Sequence, residues 1–266
     1  MGIFLPLTIY FQSVLGFSAL KAGLVMAPAS LMSMFIAPVA GRTTDKIGGK
    51  FILMSGLILF GTGMAWLALI AHPASSWPTF VAPLIVAGIG MGCIFAPMVT
   101  VAMRNIDPRV AGAASGVLNT VRQVGLVIGT ATVGALLQNR LVSAISDQAA
   151  ARSAALPPAV RGRFVSQMDS SARNGIQVGA GQSGGSTHLA QGIPAQIVAE
   201  IARIAHDVFT SAFVDAMRQT MILPIILLAV GALSCLAIRE PRRTAAPPAV
   251  EAAVAAESAT PATPAA

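Results

Sequence analysis

Residues 51–71 read FILMSGLILFGTGMAWLALIA, a stretch without a charged side chain that decides the fold class. An α-helix needs about 20 residues to cross about 30 Å of hydrocarbon, and it satisfies its backbone hydrogen bonds internally. The stretch therefore predicts a membrane-spanning helix. The rest of the chain has the same character, since 55% of its 266 residues are hydrophobic and only 10% are charged.

Similar apolar runs flank this stretch on both sides. The predicted spans are Gly2–Leu15, Ala22–Ala40, Phe51–Ala71, Trp77–Met103, Ala111–Leu137 and Ser211–Ile238. The sequence thus predicts an all-α membrane protein with six transmembrane helices, the first five within residues 1–137. Because the first run is shorter than a normal crossing, we expect its helix to be truncated and to begin upstream of Met1.

The basic residues predict the orientation. A net charge of +7 would suggest nucleic acid in a soluble protein, but here the bases lie mainly between the apolar runs, so we expect a lipid bilayer and no nucleic acid as partner. The two short loops on one side carry only Lys21. The loops on the other side carry Arg42, Lys46, Lys50, Arg104, Arg109, Arg239, Arg242 and Arg243. The positive-inside rule therefore places both termini in the cytoplasm of a multi-pass membrane protein. The Ala-rich tail and the absence of eukaryotic targeting features favour the cytoplasmic membrane of a bacterium.

Two polar segments complete the predicted organisation. Residues 138–210 are predicted to form a long extracytoplasmic loop. Within it we expect an amphipathic helix near 193–209, because Ile197, Ile201, Ile204 and Val208 recur at helical spacing. Residues 239–266, rich in Ala and Pro, are predicted to be a disordered cytoplasmic tail.

The loop between the second and third spans carries a distinctive pattern, Gly41-Arg-Thr-Thr-Asp45-Lys46-Ile-Gly48-Gly49-Lys50. Its glycines permit a tight turn between two helices, its acid can cap the following helix, and its bases can meet anionic headgroups. An ordinary positive-inside loop is the alternative interpretation.

This loop resembles the G-x-x-x-D-[RK]-x-G-[RK]-[RK] loop of the major facilitator superfamily. Gly41, Asp45, Lys46, Gly48 and Lys50 match, whereas Gly49 replaces a base. Two stretches are similar to the C-terminal half of the fourteen-helix drug/proton antiporter branch. The first is 5–23, which includes Gly16 and is followed by Pro28, and the second is 114–125, which includes Arg122.

The resemblance implies one six-helix half of a transporter that exports drugs or other small amphipathic organic molecules by alternating access. In such a protein the loop stabilises one conformational state. The resemblance also implies a proton as coupling ion, no cofactor, and an N-terminal half that is missing from this chain. A non-transporting membrane scaffold, or an inactive transporter fragment, is the alternative function.

Arg122 is the strongest candidate for the substrate pathway. It follows Ala111 by eleven positions, which places it about 16 Å along the span, near the bilayer centre. A central arginine costs about 2.5–3.5 kcal/mol on insertion scales, so it should face a partner, a wet cavity or the bundle interior. Asn119 and Gln123 extend the polar stripe. A pathway role and a structural tie between helices both stay open.

Tyr10 and Gln12 are further pathway candidates. The resemblance places the first, second, fourth and fifth helices of each half around the substrate cavity, and packing against neighbouring helices is the alternative. The glycines of the fourth and fifth spans predict close helix packing, with a hinge near Pro97 as the alternative. Asp215 and Arg218 are expected to pair one turn apart at the outer interface.

Enzymatic chemistry has little support in the sequence. His72, His188 and His206 are scattered, without metal-ligand spacing or a neighbouring nucleophile. We therefore predict neither a catalytic site nor a metal site.

Overall fold

The computed structural model describes residues 2–103, 106–153, 158–173 and 195–237. Over these ranges the α-helices are α1 Phe4–Ile9, α2 Ala19–Ile47, α3 Gly49–Ile70, α4 Val81–Met103, α5 Ala111–Ser153, α6 Pro158–Arg173 and α7 Ala195–Ser234. A π-helical turn, Tyr10–Val14, extends α1, and short 3₁₀ turns flank α4, α5 and α7 at Trp77–Phe80, Pro108–Val110 and Cys235–Ala237. The described residues contain no strand, which confirms the all-α fold class.

Five helical stretches are long and apolar enough to cross a membrane. They are Ala19–Thr44, Gly49–Ile70, Trp77–Met103, Pro108–Ser153 and Glu200–Ala237. The first predicted span corresponds to a shorter apolar helix, Phe4–Val14. Each of these six helical stretches corresponds to one of the six spans predicted from the uncharged runs of the sequence.

Helix α4 lies between α2 and α3 and contacts both extensively. Gly88 lies against the backbone of Ala29, and Gly90 lies against the backbone of Phe60, so tightly that a Cβ atom at either glycine would collide with its neighbour. Small residues let helix backbones approach one another in this way. The close packing predicted for α4 is therefore present, and the helix continues through Pro97.

Helices α3 and α7 are tied together at both ends. Lys50 Nζ, in the first turn of α3, donates to the carbonyl oxygen of Leu236 just after α7, at 2.7 Å. At the other end, the Arg218 guanidinium on α7 donates to three carbonyls at the end of α3, those of Ala68 (3.2 Å), Leu69 (3.2 Å) and Ala71 (2.8 Å). The last carbonyls of a helix lack intrahelical partners and carry partial negative charge, so each cation stabilises a helix end.

The predicted pairing of Asp215 with Arg218 is wrong. No ion pair joins them in the described part of the chain, because Arg218 turns towards the α3 carbonyls while Asp215 accepts a hydrogen bond from Gln148 on α5, at 3.2 Å. Unpartnered carbonyls at a helix end compete successfully with an acid on the arginine's own helix.

The structure also differs from the prediction at residues 138–210. Helix α5 has 43 residues and α7 has 40, which is about 60 Å each and far beyond a bilayer crossing. Their extensions pack with α6 around buried side chains that include Leu141, Ile145, Phe164, Met168 and Val208. The described part of the predicted loop therefore belongs to a three-helix unit that extends beyond the apolar bundle, called here the outer three-helix unit for its place relative to that bundle.

The amphipathic helix expected near 193–209 lies within α7, which begins at Ala195 and has Ile201, Ile204 and Val208 buried. It is continuous with the last span rather than separate from it. The side chain of Ile197 and the predicted tail 239–266 lie outside the described residues.

Candidate functional site

The sequence pattern at 41–50 forms a turn that joins α2 directly to α3. Helix α2 ends at Ile47, and Gly48 has a φ of 98°, a conformation that side chains strongly disfavour. The Gly48 N–H donates to the carbonyl oxygen of Thr44 at 3.0 Å, which closes the end of α2. The backbone of this turn therefore requires glycine at position 48.

Gly49 is buried at the start of α3. A Cβ atom here would collide with the Val101 side chain of α4 and lie 3.2 Å from Cγ2 of Thr44. The long basic side chain that the superfamily pattern has at this position would require the Val101 side chain to move. The packing of Gly49 is therefore consistent with the departure from the pattern.

The other members of the pattern separate into different roles. Gly41 lies within α2, Lys46 is exposed, and Lys50 binds the carbonyl of Leu236. The side chain of Asp45 lies outside the described residues. In the structure this loop is a glycine turn, and its Lys50 is hydrogen-bonded to the turn that follows α7.

Tyr10 is fully buried in an aromatic cluster. Its hydroxyl donates to the carbonyl oxygen of His72 at 2.7 Å, and its ring lies 5.7 Å from that of Phe11 and 5.8 Å from that of Phe80, centroid to centroid. Gln12 lies half-buried in the same π-helical turn. Tyr10 thus anchors this turn to the connection between α3 and α4, as the packing alternative requires.

Asn119, Arg122 and Gln123 form an exposed polar face in the first half of α5. The buried residues of α5 begin only at Val133, so the second half of the helix anchors it to the bundle. The guanidinium of Arg122 lies 5.7 Å from the centroid of the Phe95 ring on α4, within the range of a cation–π contact.

The glycines of α5 do not pack as predicted. A Cβ atom added at Gly112, Gly116, Gly125, Gly129 or Gly134 would have no described atom within 4 Å outside the local helix. Gly112, Gly116 and the polar face therefore remain accessible on this part of α5, whereas the backbone of Gly129 lies against Gly2.

Two groups of predicted pathway residues lie apart. Gly2 lies against the carbonyl of Gly129, since a Cβ atom at Gly2 would be 3.0 Å from that oxygen. From this contact α1 runs towards His72, whereas Arg122 lies in the opposite direction along α5. Measured along each helix from this contact, Tyr10 lies about 12 Å away on the first helix and Arg122 about 10 Å away on α5. The structure brings Asn119, Arg122 and Gln123 together and leaves Tyr10 and Gln12 elsewhere.

A protein-family model described as Major Facilitator Superfamily matches residues 1–130, from the short first helix through the polar face of α5. Residues 1–130, about half of the chain, belong to the major facilitator superfamily. This region includes both the Gly48 turn and Arg122, the two features singled out from the sequence.

Several curated members of this superfamily are similar to the chain. It is 33% identical over 137 residues to the multidrug resistance protein B homolog of Mycobacterium tuberculosis, a match that covers 51% of this chain and 25% of the relative. It is 34% identical over 139 residues to the probable actinorhodin transporter of Streptomyces coelicolor, covering 51% and 24%. It is 28% identical over 134 residues to the multidrug export protein EmrB of Escherichia coli K12, covering 48% and 25%. The aligned region spans about a quarter of the length of these relatives.

The chain is a multi-pass membrane protein, as the family of residues 1–130 and the long apolar helices together indicate. The sequence had not revealed the cationic ties at Lys50 and Arg218. A signal was present, because each base lies beside the end of an apolar run, where carbonyls of a neighbouring helix end are to be expected.

Proposed function

We propose that this chain supplies one helical half of a secondary transporter that exports amphipathic organic molecules by alternating access, with protons as the coupling ion. The printed names of the relatives support export, since they include a multidrug export protein and a probable actinorhodin transporter. The observation that carries the proposal is the exposed polar face of α5.

An arginine at this position needs a polar or protein environment. Arg122 lies in the middle of an otherwise apolar helix, and exposure to hydrocarbon would cost about 2.5–3.5 kcal/mol. The single contact with Phe95 does not bury it. A second set of helices facing α5 would enclose this face together with water and substrate, which is the arrangement of a transport pathway between two halves.

The composition of the face suits an amphipathic substrate. Exposed valines, among them Val117, Val121 and Val124, surround the three polar side chains. Binding sites for small organic molecules combine mainly apolar walls with a few fixed polar groups. An apolar molecule with one polar group would therefore find both kinds of contact here.

Efflux of ethidium from cells tests the role of Arg122. The protein would be expressed from the longest reading frame that contains the chain, as the parent, as Arg122→Gln, and as Arg163→Gln, a matched loss of an exposed arginine on α6. We expect Arg122→Gln to lower the initial efflux rate about tenfold at equal membrane abundance, the effect of losing roughly 1.4 kcal/mol of interaction in the pathway. Parent-like efflux from Arg122→Gln would remove this residue from the pathway.

Reconstituted vesicles test the coupling ion and the proposed half. We expect dye transport by the long form to stop when nigericin collapses the pH gradient, and the 266-residue chain alone to give no transport. Full transport by the chain alone would overturn its assignment as one half. Absence of transport from both forms, with correct insertion, would favour the non-transporting scaffold.

A further inference from the structure

A polar groove lies between α5 and α7 where the two helices leave the apolar bundle. It has a volume of about 460 Å³, and its charged and amide side chains are Arg140, Asp147 and Gln148 on α5 and Asp215, Arg218 and Gln219 on α7. None of its described lining residues is aromatic. The groove is separate from the Arg122 face, which lies in the first half of α5.

Hydrogen bonds hold two of the charged side chains of the groove in place, Asp215 and Arg218, and no described ion pair neutralises the groove's charges. Gln148 Nε2 donates to Asp215 Oδ2 at 3.2 Å, and the hydrogen bonds to the α3 carbonyls fix Arg218. The ion pairs of the described residues are Arg152–Asp207, Arg173–Asp169 and Arg203–Glu200, so none joins the two arginines and two aspartates of the groove. Two positive and two negative groups thus face one cavity.

The antiparallel register of α5 and α7 orders these charges along the groove. Gln148 lies opposite Asp215, and one helical turn farther out Arg152 donates to the hydroxyl of Ser211 at 2.9 Å. Going the other way, Arg140 on α5 and Arg218 on α7 lie nearer to the apolar bundle than Asp147 and Asp215 do. The cations therefore occupy the membrane end of the groove, and the carboxylates occupy its outer end.

This order complements the headgroup of a zwitterionic phospholipid. Guanidinium groups bind phosphate oxygens well, and carboxylates accept hydrogen bonds from an ammonium group. In such a lipid the phosphate is attached next to the acyl chains and the ammonium lies at the far end, as the two charge pairs require. Quaternary ammonium groups are recognised by aromatic cages, which the lining lacks, so a primary ammonium fits better.

We propose that the groove between α5 and α7 binds the phosphoethanolamine headgroup of a membrane phospholipid, with Arg140 and Arg218 at the phosphate and Asp147 and Asp215 at the ammonium. The acyl chains lie against the apolar parts of α5 and α7 below the groove. Bound lipid adds a bridge between two helices whose outer ends also pack through buried apolar side chains such as Ile145 and Val208.

Lipid retention by the detergent-purified chain tests this site. The protein is incubated with equal amounts of phosphatidylethanolamine, phosphatidylcholine and phosphatidylglycerol, repurified, and its retained lipids are quantified by mass spectrometry. We expect phosphatidylethanolamine to be retained several-fold over the other two. The double variant Asp147→Asn/Asp215→Asn should lower that retention about tenfold, because it removes two charge-assisted contacts and preserves side-chain shape.

A matched double variant separates a specific site from a general change of charge. Asp169→Asn/Glu200→Gln removes two carboxylates from exposed ion pairs outside the groove and should retain lipid like the parent. Arg140→Gln avoids the Arg218 tie to α3 and should also weaken phosphatidylethanolamine binding. Equal retention of the three lipids, preference for phosphatidylglycerol, or an effect of the control variant equal to that of the groove variant would overturn the proposal. Displacement by equimolar soluble phosphoethanolamine would overturn the assignment to a lipid.

Discussion

Gly88 and Gly116 are both helical glycines, yet their surroundings differ. Gly88 lies against backbone atoms of Ala29, whereas a Cβ atom at Gly116 would meet nothing within 4 Å. We expect Gly88→Ala to destabilise the protein by about 1–3 kcal/mol, because the collision is with backbone that cannot rotate away. Gly116→Ala should be neutral or stabilising, since alanine favours a helix by about 1 kcal/mol. SDS-induced unfolding in detergent micelles measures both. Equal stability losses would contradict this difference in packing.

The sequence predicted single residues correctly where the residue type itself demands a particular backbone conformation or environment. Gly48 needs a positive φ wherever it lies in the fold, and Arg122 is costly in any apolar helix. Tyr10 had no such local signal, because its hydroxyl partner is the carbonyl of His72, 62 positions away. Its pathway role stays a prediction, although its burial favours packing.

The hydrogen bonds of Lys50 and Arg218 that tie α3 to α7 are expected to stabilise this helix pair. Arg218→Gln removes the charge and most of the hydrogen bonds to the end of α3, so we expect it to cost about 1.5–3 kcal/mol, the range for hydrogen bonds to charged groups. Arg203→Gln breaks only an exposed pair with Glu200 and should change little. The same SDS titration, read by limited proteolysis near α7, compares them. Indistinguishable unfolding curves would show that the α3 tie does not stabilise the bundle.

The success of helix prediction depended on whether the sequence pattern reflects lipid or water around the helix. Charge-free runs indicated every apolar helix, because hydrocarbon excludes charge. The same criterion missed the continuation of α5 beyond Leu137, where polar residues begin to alternate with apolar ones. Leu137, Leu141, Ile145 and Ala149 recur every four positions and are buried against α6 and α7, and this periodicity indicates a helix in water as well as in lipid.

At the scale of the whole molecule, the predicted orientation follows from the distribution of bases. Lys46 lies at the end of α2, on the side with excess Lys and Arg, whereas Ser170 lies on α6 in the outer three-helix unit. Both side chains are exposed, so a cysteine at either position should react with a soluble reagent. The positive-inside rule predicts that the two positions face opposite compartments.

Labelling with a membrane-impermeant maleimide determines the orientation. In a background with Cys93→Ala and Cys235→Ala, Ser170→Cys should be labelled in intact cells, and Lys46→Cys should be labelled only after the membrane is permeabilised. Denatured samples provide the control for total reactivity at each position. The reverse pattern would place the excess of bases outside, and the lipid groove between α5 and α7 would then face the cytoplasmic leaflet. Labelling of both positions in intact cells would contradict three crossings between them by α3, α4 and α5, because it requires an even number of crossings.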